Sequence, residues 1–269
     1  MRHISWMPLL LVTVCSGLLA SMMLVKTSVL ENSSTQSVKP HTKINVGKSR
    51  TDSTSTTPNV WNEWNTGHVF NDELEYYTPE AVTFKGQGLT ITASKEKMGA
   101  KNFVSGRIDE KDHPFEYGDI VAIMKLPTGT GMFPALWLRP ANGGILPEID
   151  IMENIGRDPN VIVPAYHETS GGDIFTRYYL INPNQFHTYT LIWQPHLLEW
   201  SIDGHVILKV TKNIPHQPMY ATINLAIGGT WPHNPTNQTK FPQAFVIRRI
   251  IIYPDKGPSI VGNKLVKST

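Results

Sequence analysis

The 269-residue chain has a single cysteine, Cys15, placed inside an N-terminal apolar run. Val12-Thr13-Val14 before it lacks the small residue expected ahead of a lipidated cysteine. The chain beyond that run holds no cysteine, so its stability must come from core packing alone. A charge bias of either sign is also missing, since 24 basic and 22 acidic residues leave a formal net charge of +2. No nucleic-acid partner is expected from that balance. Long helical periodicity is absent too. What punctuates the chain instead is 20 Gly and 20 Pro, which suits a turn-rich β protein.

Met1-Arg2-His3 is followed by an apolar run from Ile4 to Val25. Residues 1–25 read as a secretory signal, yet the run is also long enough to span a bilayer. Ala20-Ser21 is a poor cleavage site, so an uncleaved membrane anchor through 4–25 stands as the second reading. Either way the rest of the chain is expected to be exported, secreted or held at the outer face of the cell membrane. Residues 26–58 are rich in Ser and Thr, with almost no large apolar side chain. They cannot bury enough surface to fold and read as a flexible linker. Residues 59–256 read as one folded domain and 257–269 as a short tail.

Within that domain short strands recur. Gly88–Ala93 alternates apolar and polar residues, and Asp119–Leu126 does so more weakly. Phe133–Leu138 reads as a strand ending before Arg139-Pro140. His187, Tyr189, Leu191 and Trp193 share one strand face. Leu198–Ile202 and His205–Val210 flank Asp203-Gly204, a two-residue hairpin signal. Tyr220–Ile227 and Phe245–Tyr253 supply two late strands. Turn signals every 8–12 residues describe an all-β fold, a β-sandwich of two antiparallel sheets.

The densest chemistry lies in Pro147-Glu148-Ile149-Asp150-Ile151-Met152-Glu153-Asn154. On a regular strand Glu148 and Asp150 share a face and Glu153 falls on the other. One extra residue at Ile151-Met152, absorbed as a β-bulge, returns Glu153 to their side. Ile149, Ile151 and Met152 demand a buried opposite face, so all three acids crowd one surface. The bulged spacing puts the Glu148 and Glu153 Cα atoms roughly 13 Å apart. Inclined side chains then narrow the carboxylate gap to roughly 5–6 Å, near the spacing of about 5–5.5 Å in retaining glycosidases.

Glu148-Ile-Asp150-Ile-Met-Glu153 resembles the E-x-D-x-x-E signature of glycoside hydrolase family 16 in its bulged, laminarinase-like form. Asn71–Thr78, Ser105–Ile108, Tyr117-Gly118, Gly131–Trp137, Phe186–Thr190, Asp203-Gly204, Asn224–Gly229 and Phe241-Pro242 resemble further segments of that family, in the same order. The resemblance covers roughly residues 60–254. It implies a concanavalin-like jelly roll with a concave substrate cleft. It also implies an endo-acting glycosidase for β-1,3-glucan or mixed β-1,3/1,4-glucan, working as a monomer on polysaccharide.

The resemblance assigns Glu148 as nucleophile, Glu153 as acid/base and Asp150 as the helper carboxylate between them. Trp137 and Trp231 match sugar platforms, while Asn71 and Arg107 match residues that hydrogen-bond glucose hydroxyls. For Arg107 a structural ion pair is the equal alternative. His167 stands where the family often places a histidine near the scissile bond, although Tyr166 and Glu168 beside it depart from the pattern. Catalysis needs no cofactor and no metal. Arg248 occupies the place of the family's usual calcium-ligating aspartate, which puts a structural calcium in doubt. Two rival readings remain: a non-catalytic β-glucan-binding protein on the same fold, and an agarase or carrageenase.

Overall fold

The computed structural model describes residues 61–255, together with three short strand segments at 54–55, 259–261 and 264–266. The apolar run 4–25 and nearly all of the linker and tail expected above lie outside the described residues. In chain order the first strands are β1 (Thr54–Ser55), β2 (Asn62–Glu63), β3 (Glu75–Tyr77), β4 (Val82–Lys85) and β5 (Gly88–Ala93). Next come β6 (Phe103–Ser105), β7 (Arg107–Asp109), β8 (Gly118–Lys125), β9 (Met132–Pro140) and β10 (Glu148–Glu153). They are followed by β11 (Val161–His167), β12 (Asp173–Phe175), β13 (Tyr178–Tyr179), β14 (His187–Gln194) and β15 (Leu197–Ile202). The last are β16 (His205–Val210), β17 (Met219–Ile227), β18 (Gln243–Pro254), β19 (Ser259–Val261) and β20 (Lys264–Val266).

Two eight-stranded sheets dominate. One runs β16-β15-β14-β8-β18-β5-β4 with β1 on β18; the other runs β12-β11-β10-β9-β17-β7-β2 with β13 on β11. Every pairing within them is antiparallel, as the alternation of the sequence requires. The Asp203-Gly204 hairpin closes β15 onto β16 with both residues at positive φ, 51° and 79°, the backbone of a type I′ turn. One strand is longer than its sequence suggests. β9 continues through Arg139 and Pro140, which pair with Tyr220 and Met219. Pro140 is tolerated because it ends the strand.

The core is the space between the sheets. Ile120, Ala122 and Met124 of β8 face it from one side, with Tyr189, Leu191 and Trp193 of β14. Leu136, Leu138, Ile149, Ile151, Met152, Ile223 and Leu225 face it from the other, all nearly inaccessible. At about 1.5–3 kcal/mol per large side chain removed from water, this layer carries the fold without any disulfide. It also sets the orientation of the second sheet: with Ile149, Ile151 and Met152 inward, the acids between them must face out.

Candidate active site

The bulge in β10 is present against both neighbours. On β9, Asp150 faces Trp137 while Met152 faces Leu136, so Ile151 is the extra residue. On β11, Asp150 faces Ala165 while Glu153 faces Val163. Glu148, Asp150 and Glu153 therefore project from one face, and Ile151 and Met152 are both buried behind them. A hydrogen bond from the opposite sheet secures this distortion: the Trp200 indole N–H donates to the Asp150 carbonyl at 2.8 Å.

Glu148 and Glu153 are half-buried and Asp150 is 2% exposed. Burial comes first in raising the Glu148 pKa, to about 8, with the Asp150 charge adding to it and His167, Arg139 and Arg107 opposing. Burial, then Asp150 and Glu148, push Glu153 well above its ordinary range, with only His167 opposing. Three carboxylates this close do not ionise together. Glu148, faced by more cations, loses its proton first, and Glu153 keeps its own.

His167 pairs with Glu148 in the ladder. Its Nε2 lies 3.1 Å from Asp150 Oδ2 and its Nδ1 lies 2.7 Å from Asp173 Oδ1. Burial would lower the imidazole pKa, but hydrogen bonding and charge from Asp150, helped by Asp173 and Glu148, push it up to about 11. It is thus a cation clamped between two carboxylates. Glu148, Asp150 and His167 each offer one ligand atom within 4.8 Å of one another.

On the other side of β10 the floor is a stacked array. The Trp137 indole N–H donates to Asn224 Oδ1 at 2.8 Å. The guanidinium carbons of Arg107 and Arg139 lie 5.1 and 5.5 Å from the Trp137 ring centroid. Arg107 is 5% exposed, pairs with Asp109 at 3.3 Å and lies 4.0 Å from the Trp64 ring centroid. Asp109 in turn accepts from Trp64 and Thr222. The ion-pair reading of Arg107 is met by Asp109, beside the Trp137 ring.

The loops that carry Asn71 and Trp231 meet at one rim. The Thr230 N–H donates to the Asn71 carbonyl at 3.2 Å. A Cβ added at Gly229, whose φ is 107°, would stand 2.9 Å from that same oxygen, so only glycine lets the two loops close. Trp231 sits half-buried, edge-on to Phe133 at 5.3 Å. Behind this rim Glu75 is fully buried and accepts from the Ile227 N–H at 2.7 Å. Burial, then the Glu75 charge, push the neighbouring Glu73 up to about 9.

Several site residues escape a reading of the sequence. Arg139 could be found, since it follows Trp137 by two positions on the same strand. Asp173, Trp64 and Trp200 leave no local signal, because their roles arise from strand pairing or from contact across the core, and Asn224 is marked only by its segment's resemblance to the family. Arg248, exposed at the bulge where β18 leaves the register of β8, lies 3.8 Å from the Phe186 ring centroid.

The sequence profile of glycosyl hydrolases family 16 matches residues 70–243. The chain belongs to this family. It is 28% identical over 223 residues to Glucan endo-1,3-beta-glucosidase A1 of Niallia circulans, covering 69% of this chain and 33% of that protein. Against Endo-1,3-1,4-beta-glycanase EglC of Rhizobium meliloti (strain 1021) the identity is 30% over 179 residues, with 59% and 38% covered. The chain spans 33% and 38% of these relatives' lengths. The crystal structure of the laminarinase catalytic domain from Thermotoga maritima MSB8 superposes with a TM-score of 0.70 at 30% identity. That match covers 76% of this chain and 97% of the laminarinase domain. The two-sheet β-sandwich of this family 16 member is thus a jelly roll shared with solved laminarinases.

Proposed function

We propose that this family 16 protein is an exported retaining endo-glycosidase that hydrolyses β-1,3-glucan or mixed β-1,3/1,4-glucan by double displacement. The bulge that turns Glu153 to the face of Glu148 and Asp150 carries the reading. Glu148 loses its proton first and attacks the anomeric carbon, forming a covalent glycosyl-enzyme. Glu153 keeps its proton and passes it to the leaving oxygen, then takes one from the water that releases the sugar. Burial, and after it the Asp150 charge, hold the Glu153 pKa up so that the proton is there to give. The family's named glucanases supply the substrate class, and export rests on the apolar run at 4–25.

Assay on laminarin, lichenan, agar and carrageenan with product sizing tests the assignment. Release of short oligosaccharides from laminarin or lichenan is the expected result, with the galactans left intact. Cleavage of agar or carrageenan alone would reassign the specificity, and no cleavage of any would leave a binding protein.

The same reading dispenses with calcium. A calcium site needs six to eight oxygen ligands, and here a guanidinium stacked on Phe186 occupies the expected aspartate position. Excess chelator is expected to leave activity and melting temperature within error of untreated protein. A calcium-reversible fall of several degrees would show that other ligands compensate.

A further inference from the structure

We infer that the edge strand beyond β11 holds the sugar units on the far side of the scissile bond from Trp137, through Phe175, Arg177 and Tyr179. This inference rests on the hydrolase reading above.

β12 and β13 pair with β11 in one uninterrupted register. Phe175 faces Ala165, Tyr178 faces Ile162 and Tyr179 faces Val161. The Thr176 N–H bridges the gap by donating to the Pro164 carbonyl at 3.3 Å. The segment 173–179 therefore acts as a single strand whose side chains alternate, which puts Asp173, Phe175, Arg177 and Tyr179 on one face. Two observations say which face. Ile174 and Tyr178 pack against the core, and Asp173 reaches His167 across the cleft floor. The odd-numbered set thus shares the surface of the reactive carboxylates.

Tyr179 is 62% exposed and Arg177 is exposed, with no hydrogen bond or ion pair for Arg177 among the described residues. Phe175 is half-buried. A lone exposed ring on a protein surface calls for no explanation. Two rings flanking an unpartnered guanidinium, on the face where a polysaccharide must lie, are a different matter. Pairing traces one row across the sheet, Trp137 to Asp150 to Ala165 to Phe175. At about 4.8 Å per strand, Phe175 lies about 10 Å beyond Asp150 and about 14 Å from Trp137. It therefore serves a different sugar ring, on the opposite flank of the cut. The apolar C–H face of a glucose ring stacks on such side chains, and the arginine fork donates to hydroxyls.

Phe175→Ala, Tyr179→Ala and the double variant test this by kinetics on laminarin and product analysis on laminarihexaose. Each ring is expected to raise KM about 3- to 10-fold, by more than any fall in kcat, and to move the preferred cleavage position in the hexamer. Tyr179→Ala removes an exposed side chain and should melt with wild type, so it guards against a folding defect at Phe175. Unchanged KM and product pattern in the double variant overturn the inference while leaving the hydrolase reading intact. Should the wild type cleave no β-glucan, migration through laminarin-containing native gel decides. Retardation of the wild type that the double variant loses keeps the flank although the hydrolase reading falls; no retardation sinks both.

Discussion

Glu148→Gln lowers kcat on laminarin by about 10⁴-fold or more, the scale of losing a nucleophile. Glu153→Gln lowers it by about 10²- to 10⁴-fold, the scale of losing a general acid. Neither is expected to unfold the protein. Both carboxyls have folded-state pKa values raised above the ordinary glutamate range. The stability linked to each is therefore full below about pH 4.3 and lost as pH rises through the folded value. A neutral amide escapes that loss, so at neutral pH the variants should melt at or above wild type. Azide should restore turnover to Glu148→Ala with inverted product, because an external anion can replace only the nucleophile. Wild-type-like activity in either Gln variant would overturn the assignment.

The pH profile follows from the same groups. Activity needs Glu148 ionised and Glu153 protonated. The acidic limb of kcat/KM should therefore lie well above the ordinary glutamate value, following the Glu148 pKa pushed to about 8. The Asp150 charge raises both carboxyls. Asp150→Asn should accordingly shift both limbs to lower pH as well as slow the reaction. Limbs that stay in place would show that Asp150 does not set this balance.

Deleting Met152 is expected to cost about 100-fold or more in activity on every glucan, although the three acids would still share a face. The shortened strand reads Glu148-Ile149-Asp150-Ile151-Glu153, with acids at alternate positions. What is lost is the bend. Met152 pairs with Leu136 and packs at 0% exposure, while Trp200 holds the Asp150 carbonyl from the far sheet. Removing one residue forces either that hydrogen bond or the β9 register to yield. A misplacement of about 1 Å can cost roughly 100-fold. Emptying the methionine site adds about 2–5 kcal/mol of destabilisation, which thermal melting would register. Inserting Ala after Met152 should be worse, since it turns Glu153 toward the core, where an unpaired carboxylate is costly. Full activity of the deletion variant on laminarin would make Met152 a passenger and the bend irrelevant.

Local pattern carried most of the longer strands, those of six residues or more, and the face of the three acids. Alternation located β5, β8 and β14 within a residue or so, and Asp203-Gly204 marked its hairpin because that turn demands positive φ. The bulge was readable for a similar reason. Three apolar residues between the acids could be buried together only if the strand carried one residue too many.

Arg107 shows where such reading stops. Its sequence neighbourhood suits a sugar ligand and an ion pair equally; Asp109 lies two positions along the same strand, but only the pairing of β7 with β2 and with β17 brings Trp64 and Trp137 around it. Asp173 is equally silent, six residues from His167 in a segment of weak pattern, until β12 folds against β11.

By itself the sequence determined the fold class, the strand that bears the three acids and the face on which they stand. These follow from side-chain alternation and the burial of apolar residues, both local along the chain. Tertiary structure alone decided the charge of His167, the order in which Glu148 and Glu153 ionise, and the support of the bulge by Trp200. Each of those depends on burial and on charges or donors brought from distant strands, and neither is written in any one stretch of sequence.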